Sequence, residues 1–310
     1  MFRKTFFFTL VLALFLAACG AAAPAAPAAA PVSAEIKLID GLDRPVTLSA
    51  PAQSVISIAP SNTEILFAIG AGEQVIGRDS ISDYPAEAQS VQDIGSMYDA
   101  LNTELLVSLK PDLILAAEIN SPEQVKALED AGLTVFYLQN PTTLEEMYDN
   151  LNLVAKLTGH EKESAALIES LKVRVKAVDE KLAPVSSRAS VFYELDATDP
   201  AKPYTAGKGT FISLLLERAG GTNIAGGIDG YPQLSLEEIV AQDPAFIILG
   251  DSAYGVTPES IAARPGWKNL SAVKNAQVFP FDDNLVSRPG PRLVDGLEAL
   301  AKILHPELFK

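Results

Sequence analysis

Cysteine is almost absent from these 310 residues: Cys19 is the only one, so no disulfide can form within the chain and no thiolate pair exists to hold a metal. Histidine is nearly as scarce. His160 and His305 are the only two, one opening a helical stretch and one close to the C-terminus, and both read as exposed polar residues. No GxSxG elbow, no P-loop and no HExxH motif occurs. Clusters of Lys and Arg are missing as well, and a formal net charge of −15 argues against nucleic acid as a partner. Past the N-terminus no apolar run approaches the ~20 residues that a bilayer span needs. With these exclusions, hydrolytic chemistry rests on loop carboxylates alone. Asp282 and Asp283 are the one adjacent pair, and a paired-acid hydrolase stays open as the alternative, although neighbouring residues seldom converge on one substrate. No catalytic residue, cofactor or metal site is expected from the rest.

What is present begins with targeting. Arg3 and Lys4, an apolar stretch over residues 6–16 and the small run Ala17-Ala18-Cys19-Gly20 form an export signal. It resembles the bacterial lipoprotein signal, in which the cysteine becomes the lipidated first residue; an ordinary secretory signal cut elsewhere is the alternative. Residues 1–19 are therefore read as leader, with Cys19 as the lipidation site. Residues 20–34, almost entirely Ala and Pro, cannot bury a core and read as an extended tether. The mature protein is expected outside the cytoplasm, anchored to the membrane by lipid, and monomeric.

Residues 160–182, HEKESAALIESLKVRVKAVDEKL, carry apolar side chains three or four apart with no internal Gly or Pro, and Gly159 and Pro184 bracket them. One long amphipathic helix over 160–184 follows, about 30 Å long at ~1.5 Å per residue. It separates two halves that resemble each other. LNTELLVSLKPDLIL at 101–115 matches LSLEEIVAQDPAFII at 234–248 without a gap, pairing Glu104 with Glu237, Val107 with Val240 and Pro111 with Pro244. Each half also alternates short β-branched runs with helical patterns. The expected fold is α/β, with two similar lobes at 35–159 and 185–310, each a mostly parallel sheet covered by helices on both faces and joined by one rigid helix.

In such sheets ligands sit in loops beyond the carboxyl ends of strands. Those loops hold Pro60, Ser61 and Asn62, with Asn62 or Thr63 expected to cap a helix over 64–69. They also hold the aromatic residues Tyr84, Tyr98, Tyr204, Tyr231 and Tyr254, whose flat amphipathic rings suit a large flat ligand, unless each packs under its own loop. Gly70 and Gly72 follow a helix and precede a strand, the wrong order for a phosphate cradle, and read as a helix stop. In SRPGPRLVDG, Arg288 stands in a loop as a permanently charged donor able to pair with a ligand anion. Arg292 opens the last helix and is expected to pair within its own lobe.

VISIAPSNTEILFAIGAGEQVIG at 55–77, SDYP at 82–85, KPDLIL at 110–115 and SRPGPRLVDGLEAL at 287–300 together resemble the substrate-binding proteins of ABC importers for cobalamin, iron-siderophores and haem, nearest to the cobalamin binders. The likeness extends from about residue 36 to the end. It implies two lobes on a rigid helix, with a metal chelate held in the cleft between them, cobalamin first and haem or a ferric siderophore next. It also implies a permease with its ATPase as partner. In cobalamin binders one exposed Glu per lobe docks onto permease arginines, and the matching positions are Glu104 and Glu237; complementation of a helix dipole is the plainer role for each. Tyr98 and Tyr231 stand where those binders often place Trp, and Tyr204 falls in the matching Pro-aromatic-Thr-x-Gly stretch. Ile81, Ala117 and Asn284 fall where further aromatics are found.

Overall fold

A computed structural model describes residues 35–310 apart from 97, 99 and 100. The leader at 1–19, Cys19 and the tether at 20–34 lie outside the described residues.

The first lobe opens with an antiparallel hairpin, β1 (Ile36–Ile39) and β2 (Pro45–Leu48), turned at Asp40 to Asp43. Then come β3 (Val55–Ser57), α1 (Pro60–Ala68), β4 (Val75–Arg78), α2 (Thr103–Leu109), β5 (Leu113–Ala117), α3 (Pro122–Asp130), β6 (Val135–Leu138) and α4 (Leu144–Thr158). Every residue of β3, β5 and β6 is buried, as expected of parallel strands covered on both faces. The long helix α5 (Glu161–Leu182) follows. In the second lobe are β7 (Ala189–Glu194), α6 (Phe211–Arg218), β8 (Gly221–Asn223), α7 (Leu236–Gln242), β9 (Phe246–Leu249), α8 (Pro258–Ala263), α9 (Ser271–Lys274), β10 (Val278–Pro280), α10 (Asn284–Ser287) and α11 (Leu293–Leu304).

The two main sheets share one plan. Their orders are β4-β3-β5-β6 and β8-β7-β9-β10, and all their pairings are parallel. Numbered within each sheet, both run second, first, third, fourth. The ungapped repeat holds down to the backbone. Asn102 and Ser235 cap α2 and α7 through their side chains, and Lys110 and Asp243 end them in the left-handed conformation. Leu106 and Ile239 are the buried residues of the two short helices.

α5 buries Ser164, Ile168, Leu171, Val175 and Val178, a stripe three or four residues apart, against α4 of the first lobe and α11 of the second. One hydrophobic cluster therefore runs from Val55, Leu66 and Phe136 through this stripe to Leu215, Leu297 and Leu300. The second lobe keeps a further core of its own around Trp267, Phe192, Ile247 and Leu249.

Three local expectations are corrected. α1 starts at Pro60, with Ala59 as its N-cap and no capping side chain, because proline suits the first helical position. Asn62 and Thr63 are thus inside the helix; the Thr63 hydroxyl is buried between those of Ser57 (2.8 Å) and Ser82 (2.9 Å). No element is expected at the place of β8, and α10 falls where a loop is expected. β8 is a three-residue edge strand of sequence GTN, without the apolar run that signals a strand. His305 is buried rather than exposed, its Nε2 3.4 Å from the carbonyl oxygen of Gly220.

Candidate functional site

The strand-end loops of both lobes face a shared cleft of about 880 Å³. The first lobe contributes Ala59 to Ser61 beyond β3, Ser80, Ile81 and Asp83 beyond β4, Tyr98, Ala117 to Ile119 beyond β5, and Asn140 beyond β6. The second contributes Phe211 at the start of α6, Tyr231 beyond β8, Tyr254 beyond β9, and Asp283, Asn284 and Ser287 to Pro289 beyond β10. Five of its large apolar side chains, Ile81, Tyr98, Ile119, Tyr231 and Tyr254, are exposed, Tyr98 and Tyr254 by 72% and 90%. A second chamber of about 630 Å³ adjoins the cleft, sharing Tyr254 and Asp283 with it and lined also by Asp196 and Asp251.

Beneath the cleft, buried ion pairs cross the seam between lobes. Glu64 of α1 is 2% exposed and receives a bidentate pair from Arg292, Nε to Oε2 at 2.8 Å and Nη2 to Oε1 at 2.5 Å. Arg288 donates to Glu64 at 3.3 Å, to Asp83 at 2.6 Å and to the carbonyl of Ile81 at 3.3 Å. The Arg292 guanidinium also lies over the Tyr84 ring, 3.9 Å from its centroid. The double proline of RPGPR holds both arginines at the entrance to α11, opposite α1. Arg292 therefore pairs across the seam and not within its own lobe, and Tyr84 is its platform rather than a cleft residue.

The polar groups of the second lobe sit at adjacent strand ends. Tyr193 of β7 donates its hydroxyl proton to Asp283 at 2.6 Å. Burial pushes the Asp283 carboxyl up, against that hydrogen bond. Desolvation pushes the Tyr231 hydroxyl up to about 12, helped by the carboxylates of Asp283 and Glu118, so the phenol stays protonated. Glu194 of β7 is wholly buried and paired bidentately with Arg264, at 2.6 and 2.9 Å. Asp251 beside it is 5% exposed, and no donor reaches either of its oxygens. Burial, with the Glu194 carboxylate adding to it, pushes Asp251 up to about 7.

Pro60, Ser61, Tyr98, Tyr231, Asn284 and Arg288 thus come together at the cleft, as do Ile81 and Ala117. Asn62 does not: it is 1% exposed, turned into the lobe on α1. Tyr204 is not a cleft residue either. Its backbone bridges Asp196 and Gln233, tying two loops of the second lobe together. Arg288 lines the cleft, but its guanidinium is already engaged by Asp83 and Glu64. Asp282 and Asp283 part company, since only Asp283 lines the cleft. Glu118, Ile119, Asn140 and Phe211 were not singled out from sequence. Their one signal was position, directly after an apolar strand or at a helix start. Glu64 was missed too, although a lone carboxylate inside the apolar run TEILFAIG is a cue for a buried pair.

Glu104 and Glu237 are exposed, each at the second residue of its helix.

Comparison with known proteins matches residues 55–285 to the family described as periplasmic binding protein. The chain is 35% identical to an uncharacterised ABC transporter substrate-binding lipoprotein of Bacillus subtilis (strain 168), YvrC, over 89% of this chain and 87% of that one. It is 30% identical to a cobalamin-binding protein of Halobacterium salinarum, over 86% and 73% of the two chains. Among solved structures, the periplasmic vitamin B12 binding protein BtuF of Vibrio cholerae superposes with a TM-score of 0.71 at 28% identity, covering 84% of this chain and 99% of that one. Among the described residues no helix is long and apolar enough to cross a membrane.

Proposed function

The chain belongs to the periplasmic binding protein family, and from that premise we propose that it is the substrate-binding component of an ABC importer, which captures a metal chelate between its lobes and delivers it to a permease. One observation carries this reading: five exposed large apolar side chains surround a single inter-lobe cleft of about 880 Å³. A concave patch of this kind, rimmed by polar groups, is the signature of a ligand site. The first-choice cargo is a corrinoid such as cobalamin, which the likeness to cobalamin and vitamin B12 binders supports. Haem or a ferric siderophore is the alternative.

Pro60, Ser61, Tyr98, Tyr231 and Asn284 are the proposed contacts, with Tyr98 and Tyr231 stacking on the guest. Glu104 and Glu237 are the proposed docking residues. Their support is that the repeat sets them at equivalent, exposed first-turn positions of the two lobes. Lipidation at Cys19 would hold a monomer at the outer face of the cell membrane, as the lipoprotein relative suggests.

The mature protein, incubated with cyanocobalamin, haemin or ferric siderophores and then desalted, should retain the visible spectrum of its cargo. Tyr98→Ala and Tyr231→Ala should each weaken that binding by about 1–2 kcal/mol. Unchanged affinity in both variants removes the rings from the site; loss of colour with every chelate removes the function.

A further inference from the structure

The charge of the cleft narrows its cargo. Resting on the binding-protein reading above, we propose that the guest is a neutral or cationic chelate whose rim carries hydrogen-bond donors such as amides or an ammonium group, and that chelates bearing free carboxylates or catecholates are excluded by the cleft itself.

Among the described residues that line the cleft, Asp83, Glu118 and Asp283 are acids and Arg288 is the one cation; Lys and His are not found there. Arg288 is not available to a guest anion. Its guanidinium is bound to Asp83, to the Ile81 carbonyl and to Glu64, whose side chain is 1% exposed. Drawing Arg288 toward a guest carboxylate would break this set and leave Asp83 facing the cleft unpaired, so the gain of one ion pair is offset by the loss of another. The adjoining chamber adds the carboxylate of Asp196 and no cation. Asp196 there is held ionised by the Thr198 hydroxyl and backbone amide, both at 2.7 Å.

A guest that brings carboxylates into this space meets like charge in a partly desolvated cleft. An amide or ammonium rim meets the reverse. Carboxylates accept hydrogen bonds only, whereas the side-chain amides of Asn140 and Asn284 both donate and accept and carry no charge, so they favour neither kind of rim. The exposed rings supply sequence-tolerant stacking to any flat guest, so the acids are what is left to discriminate.

The test is isothermal titration of the mature protein with four probes at low ionic strength: cyanocobalamin, neutral and amide-rimmed; ferrioxamine B, cationic; haemin, with two carboxylates; and ferric enterobactin, strongly anionic. At least one of the first two should bind about tenfold or more tighter than both of the last two. Glu118→Gln, at an exposed position, and Asp283→Asn should each narrow that gap by raising affinity for haemin, and added salt should narrow it for the unaltered protein. Haemin or ferric enterobactin binding as tightly as the others overturns this inference and leaves the binding-protein reading standing. A preference that neither substitution nor salt alters also overturns it, because the discrimination then has another source. Failure of all four probes overturns both readings.

Discussion

Asp251 is a carboxyl sealed from solvent with no donor to satisfy it, next to a second buried carboxylate whose charge is already matched by Arg264. The low-energy arrangement keeps a proton on Asp251 and pairs Glu194 with Arg264. Its folded value of about 7 lies above the ordinary carboxyl value of 3.8, so between those limits the folded chain holds a proton that the unfolded chain has lost. This contribution to stability is fully present below about pH 4 and is lost as the pH rises through 7. Asp251→Asn supplies a neutral donor to Glu194 in the same space. The variant should be more stable than the parent at pH 8 by on the order of 2–4 kcal/mol, with the advantage fading toward pH 5. Urea midpoints at the two pH values measure it; an advantage independent of pH refutes the assignment. Nothing in the sequence marks Asp251 as buried, and the apolar run around Glu64 hints at its burial but not at its partners. The partners of Glu64 lie 224 and 228 positions away, and only the fold brings them together.

Elements with a strong period were legible and those held by tertiary contact were not. α5 declares itself through its apolar stripe and the absence of Gly and Pro. β3, β5, β6 and β9 declare themselves as short β-branched or aromatic runs, and the α2–β5 and α7–β9 units show through their ungapped match. β8 has three residues and no apolar run; it exists because the β7 edge pairs with it. α1 begins four residues before the helix expected from residue 64, because Pro60 and Ser61 suit a loop as well as a first turn. The cleft was legible as a set of loops, yet Tyr204 could not be told from Tyr231, since both are aromatic residues in long second-lobe loops. The repeated unit also carries the argument for docking. A glutamate at the second position of one short helix gains about 0.3–1 kcal/mol from the helix dipole and needs no partner. Two glutamates at equivalent positions of duplicated units, each followed three residues later by an exposed valine, Val107 and Val240, suit a partner with two similar halves. Glu104→Arg with Glu237→Arg should leave the Kd for cargo unchanged and reduce uptake by reconstituted importer vesicles at least tenfold, roughly the loss of a few charge pairs. A fall in cargo affinity, or full uptake, sinks the docking assignment.

The lobes are joined by more than the chain connection. α5 lays one apolar stripe on both, so that a single hydrophobic cluster crosses the molecule, and the Glu64–Arg292 and Arg288–Asp83 pairs also span the seam. A frame built this way holds the cleft at a set width before any guest arrives, and a preformed site loses little ordering entropy on binding. It also predicts how the protein unfolds. Trp267 is the only tryptophan and is buried in the second lobe's own core, so its fluorescence reports that lobe, whereas far-UV circular dichroism reports both. If the shared cluster couples the lobes, the two signals should give one coincident urea transition. Glu64→Gln leaves two arginines at the seam without their buried counter-charge and should cost about 3–5 kcal/mol. The loss should appear as a lower midpoint for both signals together, with the slope preserved. Should the fluorescence and dichroism transitions separate in the unaltered protein, the lobes are independent and the width of the cleft is not set by the frame. Should they separate only in Glu64→Gln, the ion pairs and not the apolar stripe are what bind one lobe to the other.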